Sequence, residues 1–179
     1  MKILVVCVGN ICRSPLDERL LQARLDAVRP GFATVGSAGV GAVPGHAMDP
    51  HAAAELERLG GSGDGFASRA ATPQVIEGAD LVLTMTKDLR TQVLGRSPRM
   101  MRRTFTMGEL AAVCEAVPEL AGTSDLVAAA ARSRAHGAAA LDVPDPIGQS
   151  PLVHAEVADL ISGYVDAQVT VLGAVAGAR

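Results

Sequence analysis

The strongest constraint on the fold is a short apolar strand that passes directly into a loop and then into a helix. Residues 3–6 are all β-branched or aliphatic, as in a strand that is buried on both faces. A glycine and an asparagine end this run, and Ser14 followed by Pro15 predicts the N-cap and first position of a helix. Leucines continue at helical spacing as far as Val28. The start of the chain therefore predicts a strand, a short loop and a helix.

The same alternation of strands and helices continues along the rest of the chain. It predicts strands at residues 32–35, 81–85 and 103–105, and helices at residues 49–59, 87–94, 106–113, 124–135 and from 151 onwards. Such alternation is typical of an α/β fold in which helices cover both faces of a mostly parallel sheet. Neither a repeat nor a linker interrupts the pattern, so residues 1–179 are predicted to form a single three-layer domain.

Composition and charge argue against several classes of function. Hydrophobic residues make up 49% of the chain, and the formal net charge of −3 offers no basic surface for a nucleic acid. The apolar run near Met1 is too short for a signal peptide, and the longest apolar stretch near the C-terminus is interrupted by charged residues. We therefore expect a cytoplasmic protein without a membrane span.

The three cysteines, Cys7, Cys12 and Cys114, indicate thiol chemistry or simple burial, not a disulfide scaffold. An odd number without a secretory signal is not typical of a disulfide framework. Cys114 lies in an Ala/Val-rich helix and is predicted to be structural. No histidine lies near the first two cysteines in sequence, and Arg13 would repel a cation, so we expect no metal site.

The first loop carries the residue types that phosphoryl transfer to sulfur needs. Cys7 ends the strand, five residues follow, and Arg13 and Ser14 open the helix. Backbone N–H groups of such a loop can surround a phosphate dianion, and the positive end of the helix dipole stabilises an ionised sulfur. The planar guanidinium of Arg13 can bind two phosphate oxygens, and the Ser14 hydroxyl can donate to the sulfur as it leaves. Cys7 is therefore the predicted nucleophile.

A covalent mechanism also needs a proton donor for the leaving oxygen. Asp145 stands between Pro144 and Pro146, which stiffen the loop around one carboxylate. Asp142 is an alternative three residues earlier. We favour Asp145 because the flanking prolines should fix its direction.

Other polar residues have plainer interpretations. Asp49 and Pro50 predict an N-cap and the first residue of a helix. Arg102 and Arg103 are interpreted as a solvated strand end. The four histidines are predicted to be exposed and are assigned no chemistry: His46, His51, His136 and His154.

These motifs together resemble the low-molecular-weight protein tyrosine phosphatases over nearly the whole chain. The positions that match are the Cys-x5-Arg-Ser-Pro loop, Ser37-Ala38-Gly39, Asp49-Pro50, residues 79–85 and Asp145-Pro146. The resemblance implies a four-stranded parallel sheet in the order 2-1-3-4, a cysteinyl-phosphate intermediate, and no metal or other cofactor. It also implies a phosphorylated protein as substrate and inorganic phosphate as product, and we expect a monomer or weak dimer.

By position, the resemblance implies that Cys7 is the nucleophile, Arg13 the phosphate-binding residue and Asp145 the general acid and later the general base. The remaining residues of the loop are then expected at the substrate phosphate: Val8, Gly9, Asn10, Ile11, Cys12 and Ser14.

Two further expectations rest on the resemblance. Asn10, Ser14 and Ser37 should hold the loop and the thiolate. Cys12 either packs beneath the loop or forms a reversible disulfide with Cys7 under oxidation, as the family implies.

Several positions depart from the family pattern and bear on the substrate. The two loops that often carry aromatic residues are aliphatic here, at residues 40–44 and at Ile147, and aromatic residues are only 2% of the chain. Stacking on a phosphotyrosine ring is therefore expected to be weak. Phe66 stands where many relatives have a histidine of the loop-supporting network. The Ala-rich segment around residues 112–140 is expected to be a helical insertion.

The sequence leaves three alternative functions open. Protein-arginine phosphatases share much of this sequence but have threonine at the position of Ile11, whose methyl groups favour contact with an apolar ring. Thiol-dependent arsenate reduction needs resolving thiols, and no cysteine pair follows the loop, although glutaredoxin-type partners can replace them. A phosphate-binding module with a vestigial loop is disfavoured, because the nucleophile, arginine, serine and aspartate are all present. Phosphotyrosine in proteins is the predicted substrate.

Overall fold

The fold is described by a computed structural model over residues 1–117, 126–137 and 139–174. Its strands are β1 (Lys2–Cys7), β2 (Thr34–Gly39), β3 (Leu81–Thr84) and β4 (Thr104–Thr106). All neighbouring pairs are parallel, and the order across the sheet is β2-β1-β3-β4. The predicted α/β class and the expected strand order are therefore confirmed.

A helix follows each strand of the sheet. The described α-helices are α1 (Arg13–Val28), α2 (Pro50–Arg58), α3 (Pro73–Glu77), α4 (Lys87–Arg96), α5 (Met107–Ala116), α6 (Leu126–Arg132) and α7 (Pro151–Leu172), and two short 3-10 helices span Pro98–Arg103 and Arg134–Gly137. The side chains of Asp49, Thr72, Thr86 and Thr106 each accept a hydrogen bond from the first turn of a helix. None of the described helices is both long and apolar enough to cross a bilayer.

The alternation of side chains along β1 divides the core into two parts. Ile3, Val5 and Cys7 belong to the larger part, together with residues of α1, α5 and α7. Leu4 and Val6 belong to a smaller part, together with residues of α3 and α4. All five side chains are buried, as the uninterrupted apolar sequence of this strand predicted.

The second strand lies further along the chain than predicted. β2 begins at Thr34, whereas the apolar pattern indicated residues 32–35. The strand continues through small residues because they pair with β1 in parallel register, so that Gly39 lies opposite Cys7. Ladder pairing thus overrides the weak strand propensity of serine, alanine and glycine.

The first helix begins two residues earlier than predicted. Cys12 is its N-cap and Arg13 its first residue, so the predicted N-cap role of Ser14 is wrong. The Ser14 hydroxyl faces the sulfur of Cys7 instead. Among the described residues no side chain caps α1, so its first N–H groups stay available to an anion bound in the loop.

The Ala-rich segment is described only in part. Helix α6 occupies Leu126–Arg132, within the predicted helix at residues 124–135. The start of that predicted helix lies outside the described residues, as does all of 118–125. That the segment around residues 112–140 is an insertion stays a prediction.

One buried carboxyl group has no compensating contact. Asp17 is fully buried on α1, and neither of its carboxylate oxygens accepts a hydrogen bond from any described residue. Burial raises the pKa of Asp17 well above its usual range, and the charge of Glu18 adds to this shift. When folding raises the pKa of an acid, stability falls as the pH rises from the unfolded pKa towards the folded one.

We expect Asp17→Ala to increase the free energy of unfolding by about 1–3 kcal/mol at pH 7, because it removes an unsatisfied buried polar group. The gain should be smallest near pH 4, where the unfolded chain still holds much of its proton, and should grow towards pH 7. Urea unfolding of both proteins across this range measures the difference. Asp88→Ala is the matched control, because it removes an exposed carboxylate in the first turn of α4 and therefore relieves no buried polar group. A difference that stays constant with pH would contradict this account.

Candidate active site

The carboxyl end of β1 forms the candidate site. Cys7 is the last residue of the strand, residues 8–12 form the loop, and α1 begins at Arg13. The Cys7 sulfur lies 2.9 Å from the hydroxyl oxygen of Ser14 and accepts a hydrogen bond from the backbone N–H of Asn10, with an N···S distance of 3.2 Å. Both donors can stabilise negative charge on the sulfur.

The buried side chain of Asn10 fixes the shape of the loop. Its Oδ1 accepts a hydrogen bond from the backbone N–H of Arg69 at 2.8 Å, which identifies the other amide atom as the donor. That Nδ2 donates to the hydroxyl oxygens of Ser14 at 2.9 Å and Ser37 at 2.7 Å. Asn10 has a φ of 55°, in the left-handed region that asparagine tolerates better than most residues.

This network also sets the direction in which each hydroxyl donates. Ser37 donates its hydrogen to Oε2 of Glu18 at 2.5 Å, which leaves its lone pairs to accept from Asn10. Ser14 accepts from the same amide, so its own hydrogen is available to the sulfur of Cys7. Ser37 thus joins Asn10 to Glu18, a residue that was not singled out from the sequence, and its role in supporting the loop stays a prediction.

The backbone of the loop is tied to the segment that follows β2. The N–H of Val40 donates to the carbonyl of Cys7, and the N–H of Gly41 donates to the carbonyl of Val8, both at 3.0 Å. A Cβ atom at Gly39 would lie 2.3 Å from the Val8 carbonyl oxygen. Only glycine permits this approach. The Ser-Ala-Gly element therefore contacts the loop in two ways, through the hydroxyl of Ser37 and through the close backbone approach that Gly39 allows.

Arg13 connects the loop to the distant Asp145. The Arg13 side chain is only 4% exposed, and its Nη1 donates to the carbonyl of Val143 at 3.1 Å. Its Nη2 forms an ion pair with Oδ2 of Asp145, a carboxylate that is 41% exposed. Asp142 instead accepts a hydrogen bond from the backbone N–H of Lys87 at 3.0 Å. Of the two candidate proton donors, Asp145 is therefore the one that pairs with the arginine of the loop.

The large exposed hydrophobic side chains of the loop and of the segments that follow β2 and Asp145 are aliphatic. Val8 is 45% exposed, Ile147 is 48% exposed and Val43 is 64% exposed. Ile11 is half-buried and packs against the larger core, as does Phe66. A substrate ring at the loop would meet methyl groups, not aromatic faces.

The comparison with known families decides the classification. A profile described as low molecular weight phosphotyrosine protein phosphatase matches residues 2–117, which is more than half of the chain. The chain belongs to this family. The family's low molecular weight protein-tyrosine-phosphatase Etp of Escherichia coli (strain K12) is 40% identical over 107 residues, which are 60% of this chain and 69% of Etp. The resemblance inferred from the sequence is therefore confirmed.

Solved structures of similar proteins share the fold. The tyrosine phosphatase AmsI of Erwinia amylovora is 26% identical, with a TM-score of 0.72 and coverage of 94% of this chain and 90% of that chain. The YwlE arginine phosphatase of Geobacillus stearothermophilus is 28% identical, with a TM-score of 0.69 and coverage of 93% and 89%. The chain is thus similar to proteins named for two different phosphorylated residues.

One buried histidine near the site was missed in the sequence. His154 on α7 is only 3% exposed, so the prediction that it lies at the surface is wrong. Its Nδ1 lies 3.9 Å from Oδ1 of Asp49, and its ring centre lies 5.1 Å from that of His51. Asp49 in turn donates its backbone N–H to the carbonyl of Ile11 at 2.8 Å. Contacts therefore run from α7 through the start of α2 to the loop.

The second cysteine of the loop is a neutral thiol. Burial raises the pKa of Cys12 to about 12, and the negative charge of Asp49 adds to the shift. Burial also raises the pKa of Cys114 to about 12, in keeping with a structural role. Thiols with such pKa values stay protonated and are poor nucleophiles at neutral pH. Within the described ranges, no group of His, Cys, Asp and Glu is arranged to hold a metal ion.

Proposed function

We propose that the protein hydrolyses phosphotyrosine in proteins through a cysteinyl-phosphate intermediate. The observation that carries this proposal is the Cys7 sulfur, held by an amide and a hydroxyl in a loop whose Arg13 pairs with Asp145. Membership of the low-molecular-weight phosphatase family and the 40% identity to Etp support it.

In the first step, the substrate phosphate occupies the loop and binds its N–H groups and the guanidinium of Arg13. The thiolate of Cys7 attacks phosphorus, an S–P bond forms, and the bond from phosphorus to the phenolic oxygen breaks. Asp145 gives its proton to that oxygen, so the phenol leaves as a neutral molecule. The bound phosphate replaces Asp145 at Arg13, so the carboxyl group of Asp145 is released from the guanidinium and can turn towards the leaving oxygen.

In the second step, a water molecule attacks phosphorus while the carboxylate of Asp145 takes its proton. The S–P bond breaks, and inorganic phosphate is released. The Ser14 hydroxyl and the Asn10 N–H stabilise the thiolate of Cys7 as it leaves. Asp145 thus ends the cycle protonated and ready for the next substrate.

The cytoplasm is the proposed setting of this reaction. A thiolate nucleophile needs a reducing compartment, and Cys7, Cys12 and Cys114 are all free in the structure. The neutral Cys12 thiol near the nucleophile stays a candidate for a protective disulfide with Cys7 under oxidation.

Phosphoarginine hydrolysis is the second candidate function. The observation that favours it is the similarity to YwlE, an arginine phosphatase, over 93% of the chain. The exposed residues near the loop also lack the aromatic groups that would stack on tyrosine. Against it stands Ile11, because its methyl groups suit an apolar ring better than a polar phosphoguanidinium.

We expect Asp145→Ala to lower kcat/KM for phenyl phosphate by about 10²–10⁴-fold, because the phenolate then leaves without a proton. The loss should be much smaller for dinitrophenyl phosphate, whose leaving group needs no general acid. Steady-state kinetics with both esters measures the difference. Asp142→Ala is the matched control and should stay close to the wild type with both substrates. The acid is misassigned if Asp142→Ala, and not Asp145→Ala, shows this dependence on the leaving group.

A competition between phosphorylated peptides tests the substrate. At equal concentrations, the wild type should hydrolyse a phosphotyrosine peptide faster than a phosphoarginine peptide of the same sequence. Ile11→Thr should shift this ratio towards phosphoarginine by about tenfold, the effect of one hydrogen bond to a charged group. Ile11→Val keeps the apolar surface and is the matched control. A wild type that prefers phosphoarginine would establish the second candidate in place of the first.

A further inference from the structure

A cavity of about 1040 Å³ lies at the opposite end of the sheet from Cys7. Its walls include Met1, which precedes β1, and Asp80, which precedes β3. Parallel strands all begin at the same edge, so the cavity adjoins the amino-terminal edge of the sheet, whereas Cys7 ends β1 at the other edge. Its volume is at the upper end of the range for pockets that bind small molecules.

The walls of this cavity are strongly basic, although the chain as a whole has a formal net charge of −3. The arginines that line it are Arg29, Arg90, Arg102, Arg103, Arg132 and Arg134. Asp80 is the one acidic residue among its described lining residues, and its Oδ2 accepts a hydrogen bond from the backbone N–H of Lys2 at 2.7 Å. Like charges gathered at a low-dielectric surface favour a bound anion.

Two of these arginines hold the fold together. Arg134 donates to Oε1 of Glu109 at 2.9 Å and to the carbonyl of Thr104 at 3.0 Å. The guanidinium carbon of Arg29 lies 3.9 Å from the centre of the Phe32 ring, a cation–π contact. Their charges contribute to the cavity, but the donors of Arg134 are largely occupied, and Arg29 already donates Nη1 to the carbonyl of Ala174 at 3.2 Å.

The other four arginines have donors to spare. Arg102, Arg103 and Arg132 are exposed, and their side chains make no hydrogen bond or ion pair with any described residue. Arg90 is half-buried beside Glu109, at 3.7 Å, and its Nε is buried without a hydrogen-bond partner among the described residues. A buried donor without an acceptor destabilises the protein, and a bound anion would satisfy it.

Apolar side chains form much of the remaining wall. They are Phe32, Met101, Leu126, Val127 and Leu172. The side chain of Met101 is 59% exposed, although methionine side chains are usually buried. An inorganic anion alone would leave this apolar surface in water, so the occupant should have an apolar portion of its own.

We propose that the cavity binds a small amphiphilic anion, whose apolar portion contacts these side chains and whose phosphate head binds the free arginines. Guanidinium groups bind phosphate oxygens in a bidentate manner, which suits the three arginines that have no partner among the described residues. The ligand is bound, not hydrolysed, because Cys7 and its loop lie at the other edge of the sheet. Nucleoside phosphates and long-chain alkyl phosphates share this chemistry.

The test uses the fluorescent probe 8-anilinonaphthalene-1-sulfonate, which combines an apolar body with an anionic group. We expect it to bind the full-length protein saturably, and ATP or dodecyl phosphate to displace it. If ATP displaces the probe at the lower concentration, the ligand is a nucleoside phosphate. If dodecyl phosphate does so, the ligand is a long-chain alkyl phosphate. Inorganic phosphate lacks an apolar portion and should need a concentration at least about 100-fold higher.

The double variant Arg102→Ala/Arg132→Ala should weaken binding of the better competitor by at least about tenfold, while hydrolysis of para-nitrophenyl phosphate stays unchanged. Both side chains are exposed, so folding should be preserved, which the thermal unfolding midpoint checks. Arg99→Ala is the matched control, since Arg99 lies in the same 3-10 helix but pairs with Glu77 and does not line the cavity. Absence of saturable binding, or equal affinity in all three proteins, would overturn the proposal.

Discussion

The side chain of Asn10 joins segments of the chain that are far apart in sequence. Through one amide it contacts the start of α1 at Ser14, the edge strand at Ser37 and the backbone at Arg69. Each of these contacts has a single possible donor, so the network has one arrangement, which aims the Ser14 hydroxyl at the sulfur of Cys7. The charge-stabilising geometry of the site therefore depends on one buried polar side chain.

Much of the fold follows from local signals. The apolar run at residues 3–6 and the spacing of the leucines after it identified β1 and α1 without any long-range information. The extension of β2 to Gly39 was missed, because it depends on pairing with β1 and not on strand propensity. Helix α3 was also missed, since five residues are too few for a helical period and only Thr72 with Pro73 marks its start.

The site was predicted less completely than the fold. The sequence indicated the loop residues and Asp145 because their chemistry follows from residue type and spacing. Glu18 was missed, since its role depends on the distant Ser37. His154 was misjudged because histidine is usually taken as polar, although its spacing of three from Val157 and seven from Ile161 puts it on the buried face of α7. A contact between distant segments, which sequence patterns do not encode, accounts for the omission of Glu18, whereas the spacing within α7 could have identified His154.

The central claim is that the phosphoryl group of the substrate is transferred directly to the sulfur of Cys7. Capture of the cysteinyl-phosphate intermediate tests this claim most directly. The wild type is mixed with a phosphotyrosine peptide, quenched within milliseconds, digested and analysed by mass spectrometry. We expect one phosphoryl group on Cys7 during turnover, its disappearance once the substrate is consumed, and no such species with Cys7→Ala. Turnover without any phosphoryl group on Cys7, or undiminished turnover by Cys7→Ala, would contradict the account.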